Sequence, residues 1–356
     1  MSKLLDQGGF GCIFFPSLTC KGKSSKPTKN TVSKVQVDDF AAENEIYIGK
    51  LISKIPRYRE HFLPILSSCP LNISDVDPNL KSECKVIKNR PNKKFIVMNM
   101  DYLENISYDD YFFFSRSKKD ILHRIIYSYQ TLMESLKILN DAHIVHHDLK
   151  LDNILFRSKD LKPIIIDFGI SMDMSNVNSS NYDLLENYFY VDAPDYYIWP
   201  IEVHILNYIM VNIPEYTEED FISQKQLTTL GILFVKQNVA LKHFSEHFID
   251  KYLSQLFTYV KPFSDIPIPK LVDKLLASYK KWDVYSLNII YIRLIAKIYK
   301  GKFPHTNFFK SLIELLVINI LPNPEHRFSW EESIHKIKAI KQSSSKKDII
   351  LSSIHI

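Results

Sequence analysis

Two stretches near the middle of the chain decide its fold: His143–Phe156, which reads HIVHHDLKLDNILF, and Ile166–Ile170, which reads IDFGI. Short apolar runs of strand type, Ile154–Phe156 and Pro163–Ile166, flank a loop in this region. Within twenty residues the stretches hold a carboxylate, a lysine, an amide and a second carboxylate: Asp148, Lys150, Asn153 and Asp167. Such a set supplies a carboxylate to orient a hydroxyl group, a cation for a moving phosphoryl group, and oxygen ligands for Mg²⁺. The pattern therefore indicates phosphoryl-transfer chemistry.

Glycine is concentrated at the start of the chain. Only 8 glycines occur among 356 residues, and three of them, Gly8, Gly9 and Gly11, fall within the segment LLDQGGFGCI. Glycines let backbone N–H groups approach phosphate oxygens without a clash from Cβ. Lys34 follows in the strand-like segment TVSKVQV, where it can add a positive charge. Taken alone, the glycines also fit a hairpin turn, and Lys34 fits a strand lysine that faces solvent.

The hydrophobic periodicity changes along the chain. Within roughly the first 100 residues, short apolar runs predict strands over Val32–Val37 and Phe95–Met100, with a helix over Ala41–Ile55. The segment Lys21–Lys34 is rich in Lys, Ser and Pro and predicts an exposed hairpin tip. Further along, the spacing becomes helical, beginning with a long helix over Ile121–His143. The pattern predicts a small β-rich part followed by a larger helical part.

The motif D-L-K-x-x-N followed by D-F-G resembles the eukaryotic-type protein kinase family, and the resemblance spans nearly the whole chain. It implies an α+β, bilobal protein-kinase-like fold, with a small β-rich N-lobe and a larger helical C-lobe. The resemblance places the N-lobe with its ATP loop at 1–101, the C-lobe at 102–340 and a polar tail at 341–356. A serine/threonine kinase is implied because Lys150 stands two positions after Asp148.

The resemblance also implies roles for individual residues. Asp148 is expected to orient the substrate hydroxyl group and Lys150 to steady the γ-phosphoryl group, while Asn153 and Asp167 hold Mg²⁺. The residues expected to bind ATP are the loop glycines, the strand lysine, its carboxylate partner and nearby apolar residues: Gly8, Gly9, Gly11, Ile13, Lys34, Glu45, Met98 and Met100. Met98 matches the residue at the back of the adenine pocket, and Asn99–Asp101 matches the hinge.

Two glutamates, Glu45 and Glu43, compete as the partner of Lys34. Glu45 is favoured because it shares a helix face with Ile48, Ile52 and Ile55, which should pack inward.

Segments nearer the C-terminus resemble the peptide-docking part of the family. Trp199–Glu202, which reads WPIE, resembles the end of the activation segment, and Arg327 resembles the arginine that pairs with its glutamate. Asp283 resembles the aspartate that braces the catalytic loop.

The sequence also departs from the family at three positions. Asp6 replaces the first loop glycine, His147 replaces the catalytic-loop arginine, and Asn288 replaces a glycine after Asp283. The missing arginine weakens the case for activation by phosphorylation of the activation loop.

An insertion of 80 residues, 203–282, separates Glu202 from Asp283. It is expected to form helices on the C-lobe that either dock a partner or stabilise the lobe, and Thr217–Asp220, which reads TEED, is expected to start one of them. Such insertions, the WPIEVH run and the composition resemble the kinases of large cytoplasmic DNA viruses. That resemblance implies a viral protein located in the host cytoplasm or the virion.

Net charge, apolar segments and cysteine spacing indicate which cellular compartment and which binding partners to expect. A net charge of +5 is too small to indicate nucleic-acid binding, and the apolar segment Ser311–Leu321 contains a glutamate and suits a core helix better than a membrane span. The four cysteines form no C-x-x-C pair, which argues against a zinc ribbon, and reduced thiols in a cytoplasmic protein are expected. The protein is expected to be a monomer. His243–His247, which reads HFSEH, matches a zinc-protease motif, but a chance match is expected inside a kinase frame.

The function predicted from these features is transfer of the γ-phosphoryl group of Mg-ATP to serine or threonine hydroxyls of protein substrates. Asp6, His147 and Asn288 motivate one alternative, a pseudokinase scaffold that binds a partner through its insertion. A small-molecule kinase is the other alternative, and the WPIE segment with Arg327 argues against it.

Overall fold

The structure, a computed structural model, describes residues 2–9, 11–18, 30–73, 76–114, 117–301, 303–304 and 306–345. The chain divides into two compact units. The first contains the chain up to Ser107 together with Asn153–Ser171, and the second contains Tyr108–Asp152 and the chain from Met172 onward. The segments HHDLKL and DFGI, although close in sequence, therefore belong to different units.

The first unit is built on an antiparallel sheet of five strands in the order β1-β2-β3-β5-β4. Its strands are β1 (Lys3–Gln7), β2 (Gly11–Phe15), β3 (Thr31–Val37), β4 (Ser67–Leu71) and β5 (Phe95–Asp101). Both strands predicted from the apolar runs are confirmed, each extended by one residue. The predicted hinge Asn99–Asp101 lies within β5.

Alternation along β3 and β5 divides the apolar residues of the sheet between its two faces. Val35 and Val37 on β3 and Phe95 and Val97 on β5 belong to one buried cluster, and Val32 on β3 belongs to the opposite cluster with the even-numbered residues of β5. That second cluster contains Ala42 of helix α1 (Phe40–Ile52). Lys34, two residues after Val32, therefore projects toward α1.

The other face is covered by two short helices, α2 (Pro78–Glu83) and α3 (Lys85–Asn89). Cys84, between them, forms a disulfide with Cys12 of β2, and both cysteines are fully buried. The prediction of reduced thiols is therefore wrong. Because these residues lie 72 positions apart in sequence, no local spacing could show that folding brings their Cα atoms within 5.9 Å.

A second small sheet completes the first unit. It has three antiparallel strands in the order β6 (Asn105–Ile106), β8 (Ile154–Arg157), β9 (Pro163–Ile165). The predicted runs before and after the loop are confirmed as β8 and β9. Asp167 follows β9 closely, and Asn153 immediately precedes β8.

The second unit is largely helical. Two short strands, β7 (Ile144–Val145) and β10 (Met172–Asp173), pair antiparallel. The helices are α4 (Tyr108–Phe112), α5 (Lys118–Asp141), α6 (Tyr182–Tyr188), α7 (Ile201–Asn212), α8 (Gln224–Gln237), α9 (Glu246–Val260), α10 (Ile268–Leu276), α11 (Trp282–Ile298), α12 (Asn307–Ile318) and α13 (Trp330–Ser345). The predicted long helix corresponds to α5, and its apolar residues at helical spacing, including Ile125, Leu132 and Leu136, are fully buried. α5 packs against α11 and α13.

The 203–282 segment forms most of α7 and all of α8, α9 and α10, and it packs into the core of the second unit. The hydroxyl group of Tyr252 donates to Ile320 O at 2.7 Å, and the side chain of Asn238 donates to the hydroxyl group of Tyr285 at 3.0 Å. These contacts join the segment to the chain that follows it. Of the two roles expected for the insertion, docking a partner and stabilising the lobe, these contacts favour stabilisation.

The predicted helix start at Thr217–Asp220 is wrong. The carboxylate of Asp220 accepts from the backbone N–H and the hydroxyl group of Thr217, but the chain makes only a turn there. Ile222 is fully buried, and the carbonyl of Asp220 accepts from Ile268 N at 2.9 Å. The burial of Ile222 and this hydrogen bond keep the chain non-helical after the turn. The helix begins later, at Gln224, where Ser223 and Gln226 form a capping box.

Most of the predicted hairpin tip Lys21–Lys34 and of the polar tail lies outside the described residues. Within the described part of the chain, the helix α13 continues through the first residues of the predicted tail to Ser345. None of the helices in that part combines the length and apolarity that crossing a membrane requires.

Candidate active site

Lys34 is a buried lysine in the middle of β3. Its Nζ atom lies 2.7 Å from Oε2 of Glu45 and 2.8 Å from Oδ1 of Asp167. Burial by itself would lower the pKa of Lys34, but the charges of the two carboxylates and their hydrogen bonds outweigh it and raise that pKa. Lys34 is therefore a fixed cation held between carboxylates from two parts of the sequence.

The helix α1 decides which glutamate contacts Lys34. Its N-cap, Asp39, accepts from Ala42 N, and the buried face of the helix then contains Glu45 together with Ile48 and Ile52. Glu43, in the first turn, is exposed. The structure therefore pairs Lys34 with Glu45 rather than with Glu43.

The segment around Asp167 is held by contacts that the sequence did not suggest. Asp167 has a positive φ of 64°, a conformation that non-glycine residues seldom adopt. Next to it, Phe168 is buried and packs edge-on against Phe62. The side chain of Asn44 donates to Gly169 O at 3.1 Å and to Ser171 O at 2.8 Å. In the sequence, only the position of Asn44 next to Glu45 could have indicated that Asn44 holds the segment after Asp167.

Asn153 lies next to the same segment. It is buried, and its carbonyl accepts from Ile166 N at 3.0 Å, adjacent to Asp167. An amide oxygen and a carboxylate are both hard ligands that suit Mg²⁺. The residue types and their positions thus fit the predicted cation site.

The glycine cluster joins β1 to β2, and Gly8 N donates to Gly11 O at 2.9 Å. A Cβ atom on Gly11 would lie 2.9 Å from Val35 O, so β2 can approach β3 this closely only with glycine there. Gly8 and Gly9 are exposed, and an added Cβ would meet nothing within 4 Å. Glycine is therefore sterically required at Gly11, whereas Gly8 and Gly9 leave open space beside the loop.

Three further residues predicted to bind ATP lie on the strands around Lys34. Ile13 on β2 and Met98 on β5 are the cross-strand neighbours of Lys34 on its two sides, and Met100 is the neighbour of Val32. Met98 and Met100 are buried on the α1 side of the sheet. The sheet thus surrounds one buried cation with apolar side chains. Asp6, the replacement for the first loop glycine, is exposed.

In the second unit, Asp148 receives contacts on both carboxylate oxygens. Oδ2 lies 2.7 Å from Nζ of Lys150, and Oδ1 accepts a hydrogen bond from the hydroxyl group of Tyr196. Burial, followed by the charge of Asp148, raises the pKa of Tyr196, so this hydroxyl group is protonated and donates. Tyr196 was not predicted as a site residue, and only its position shortly before WPIE pointed to this region.

The loop that carries Asp148 is braced from within the second unit. Asp283 accepts from His146 N at 2.8 Å and from His147 N at 3.1 Å, each with a different carboxylate oxygen. Trp199 donates its ring N–H to His147 O at 2.8 Å. These contacts satisfy three backbone groups of a buried loop, which fixes the backbone just before Asp148.

His147 occupies the position of the missing arginine as a neutral side chain. Its ring stacks on Trp199, and neither ring nitrogen has a hydrogen-bond partner among the described residues. Burial, with smaller contributions from His146 and His204, lowers the pKa of His147 to about 3. His147 therefore supplies no positive charge near neutral pH that could bind a phosphorylated activation loop.

The glutamate of WPIE forms a buried ion pair. Arg327 Nη1 lies 2.8 Å from Glu202 Oε1 and Nη2 lies 3.0 Å from Oε2, and both side chains are fully buried. The guanidinium group also donates to the carbonyls of Leu321 and Pro322. This two-pronged geometry is the strong form of an arginine–carboxylate contact, and it ties the start of α7 to the chain before α13.

Asn288, the replacement for a glycine, has a structural role. Its side chain donates to Val284 O at 2.6 Å and accepts from the hydroxyl group of Tyr129 at 2.8 Å. It therefore links α11 to α5.

The histidines of HFSEH lie on different elements. His243 ends a 3₁₀ turn, Phe244 is extended, and His247 lies in the first turn of α9 after the N-cap Ser245. The helix that would place both histidines on one face is absent. No group of three or more His, Cys, Asp or Glu side chains is placed to hold a metal within the part of the chain that the structure describes.

Comparison with known proteins agrees with this geometry. Residues 78–196, about a third of the chain, match the family model for the protein kinase domain. Over 86 residues the chain is 34% identical to the probable serine/threonine-protein kinase cdc7 of Dictyostelium discoideum. That alignment covers 24% of this chain and 8% of the Dictyostelium protein, so the chain spans less than a tenth of that relative's length.

The fold is the α+β fold of a protein kinase domain, as the sequence predicted. The domain match and the Dictyostelium relative support assignment to the protein kinases. Proteins with such a domain in general use ATP and Mg²⁺ and act on protein substrates.

Proposed function

We propose that the protein is an active serine/threonine protein kinase that transfers the γ-phosphoryl group of Mg-ATP to protein hydroxyl groups. The observation that carries the proposal is the position of Lys34, whose ammonium group contacts Glu45 at 2.7 Å and Asp167 at 2.8 Å. An active kinase requires the ion pair between the strand lysine and the helix glutamate, together with a D-F-G aspartate placed to hold Mg²⁺.

In this proposal, different residues of the chain bind the nucleotide, hold the metal ion and position the substrate. Lys34 would bind phosphate oxygens, and the amide of Asn153 and the carboxylate of Asp167 would hold the metal ion. Bound Mg²⁺ neutralises the charge that develops on the phosphate groups during transfer. Asp148 orients the substrate hydroxyl group and accepts its proton, and Lys150 steadies the transferred group. Catalysis would come from positioning and electrostatic stabilisation, since no side chain needs to form a covalent intermediate.

Specificity for serine and threonine is supported by Lys150, two positions after Asp148, and by the Dictyostelium relative. A protein substrate, rather than a small molecule, is supported by the buried pair of Glu202 and Arg327, which fixes the end of the predicted peptide-docking segment.

The test is incubation of the purified protein with γ-labelled Mg-ATP and a mixed protein pool, followed by analysis of the labelled amino acids. Label on serine and threonine that depends on Asp148 would support the proposal. Asp148→Asn is the critical variant, and Asp183→Asn, an exposed aspartate on α6, is the matched control. Label on a metabolite would indicate a small-molecule kinase instead.

A pseudokinase that binds a partner is the second candidate, and one observation favours it. The hydroxyl group of Tyr196 already occupies Oδ1 of Asp148, the carboxylate that a substrate hydroxyl group must reach. Nucleotide binding without transfer to any protein or peptide would support this candidate.

The VSK and WPIEVH runs and the long insertion support a further proposal about origin. They resemble the kinases of large cytoplasmic DNA viruses, so we propose that the protein is a viral kinase that acts in the host cytoplasm or the virion. The genes that flank its coding sequence would test this directly.

A further inference from the structure

A cavity of about 690 Å³ lies beside the catalytic loop within the second unit. Its wall includes Lys150 and Tyr196, which both contact the carboxylate of Asp148. A ligand in this cavity would therefore lie close to the hydroxyl group that Asp148 is proposed to orient.

The charged side chains of this cavity are mostly positive. Four cations line it, against a single carboxylate, Asp152. The cations are Lys150 from the catalytic loop and three residues at or just beyond the end of α11: Arg293, Lys297 and Lys300. Arg293 and Lys297 are four residues apart and share one face of α11, and Lys300 lies in the turn that follows the helix.

Lys150 pairs with Asp148 at 2.7 Å, whereas the other three cations have weak carboxylate partners or none among the described residues. Among the described residues, Arg293 and Lys300 form no ion pair with a carboxylate, and Arg293 instead stacks on the ring of Tyr197. Lys297 pairs with Asp109 only at 3.5 Å, and its side chain is 60% exposed. A stacked arginine beside two exposed lysines presents a positive surface that is already partly ordered.

A simpler explanation is that the cations only complement the dipole at the C-terminal end of α11. That effect is confined to the last turn of a helix, which accounts for Lys297 but not for Arg293. It also does not explain why Lys150, from a different element, faces the same cavity.

We propose that this cavity, the basic pocket, binds an acidic side chain of the protein substrate next to the residue that is phosphorylated. The proposal rests on the proposed function, because it names the substrate class of that site. The expected occupant is an aspartate or glutamate of an extended peptide. Walls formed by Tyr197, Ile198 and Leu294 can pack against its apolar portion, while the cations offset the cost of desolvating its carboxylate.

The test uses peptides with one central serine, in which each flanking position in turn carries aspartate or asparagine. We expect at least one position at which aspartate raises kcat/KM several-fold over asparagine, and we expect added salt to reduce this preference. The double variant Lys297→Gln/Lys300→Gln should lower the preference by about three- to tenfold, because two exposed charge interactions are lost. Lys310→Gln removes an exposed charge from α12, outside the basic pocket, and should leave the preference unchanged.

Charge reversal gives a sharper readout. In Lys297→Glu/Lys300→Glu, a peptide with lysine at the preferred position should be favoured over its aspartate counterpart. A variant that merely unfolds would lose activity on every peptide and would not invert the order. A peptide with phosphoserine at the same position tests whether the pocket prefers a phosphate group to a carboxylate. If only phosphoserine is favoured, the assignment to a carboxylate is overturned.

Peptide binding by fluorescence anisotropy separates this proposal from the proposed function. Transfer to acidic and neutral peptides at equal rates, with no effect of the lysine changes, would overturn the basic pocket and leave the kinase function standing. Tighter binding of the acidic peptide, lost in the double variant but without transfer to any peptide, would support the pocket and overturn the kinase function.

Discussion

The hydroxyl group of Tyr196 donates a hydrogen bond to Oδ1 of Asp148, the carboxylate predicted to accept the proton of the substrate. The other oxygen, Oδ2, is held by Lys150 at 2.7 Å. A substrate hydroxyl group that binds Oδ1 of Asp148 would compete with Tyr196, whereas displacing Lys150 would remove the cation proposed to steady the transferred group.

Tyr196→Phe should therefore increase phosphorylation of a peptide substrate. The ring can still pack against Trp199, while the competing donor is lost. One hydrogen bond contributes about 0.5–1.5 kcal/mol, so we expect a rise in kcat/KM of about two- to tenfold. A fall in kcat with unchanged nucleotide affinity would instead show that Tyr196 positions Asp148 for catalysis.

Asp148→Asn should abolish most phosphoryl transfer. An amide cannot accept the proton of the hydroxyl group, and loss of a positioned base lowers the rate by about 10²–10⁴-fold. ATP affinity should change little because the carboxylate acts on the hydroxyl group. Single-turnover kinetics and nucleotide titration measure the two quantities separately. Turnover at the wild-type rate would contradict the assignment of Asp148.

Glu45→Gln should weaken ATP binding and transfer, whereas Glu43→Gln should change neither. The two glutamates are two positions apart on α1, but only Glu45 contacts Lys34, at 2.7 Å. Loss of its charge leaves Lys34 held by Asp167 alone, which should draw the lysine away from phosphate oxygens. The comparison is an ATP titration of both variants, and equal effects would rule out a specific role for Glu45.

Arg327→Met should destabilise the protein by about 3–5 kcal/mol, since it leaves the buried carboxylate of Glu202 without its cation. The double variant Glu202→Gln/Arg327→Met removes both charges and should recover part of this loss. Urea unfolding of the wild type, the two single variants and the double variant measures the four free energies of unfolding. If the double variant lost as much free energy of unfolding as the two single variants lose together, loss of the ion pair would not explain the destabilisation.

Stability should fall as the pH drops below about 6.5. Burial lowers the pKa of His147 to about 3 and that of His204 to about 4, whereas both residues bind a proton near pH 6.5 in the unfolded chain. Between these values the unfolded state holds more protons, so acid favours unfolding by up to about 1.4 kcal/mol per pH unit for each histidine. His147→Phe keeps an aromatic ring and should reduce the slope, measured by urea unfolding at several pH values. His335→Gln changes an exposed histidine and serves as the control, and an unchanged slope in His147→Phe would contradict the argument.

Local patterns in the sequence were sufficient to predict several strands and helices of the fold. Alternation predicted β3 and β5, helical spacing predicted α1 and α5, and the order of Asp148, Lys150, Asn153 and Asp167 indicated phosphoryl transfer. These signals are readable because the periods of strands and helices repeat over a few residues and need no distant partner. Thr217–Asp220 shows the limit of this method, since the burial of Ile222 overrides a good local helix start.

Only the tertiary structure decided which residues meet across long separations. The disulfide of Cys12 and Cys84 and the contact of Tyr196 with Asp148 join residues that no short-range pattern relates. The basic pocket is of the same kind, because its cations come from the catalytic loop and from α11, far apart in sequence. The physical reason is that burial and charge pairing depend on which surfaces come together in three dimensions, whereas the sequence records only the residues that each surface can present.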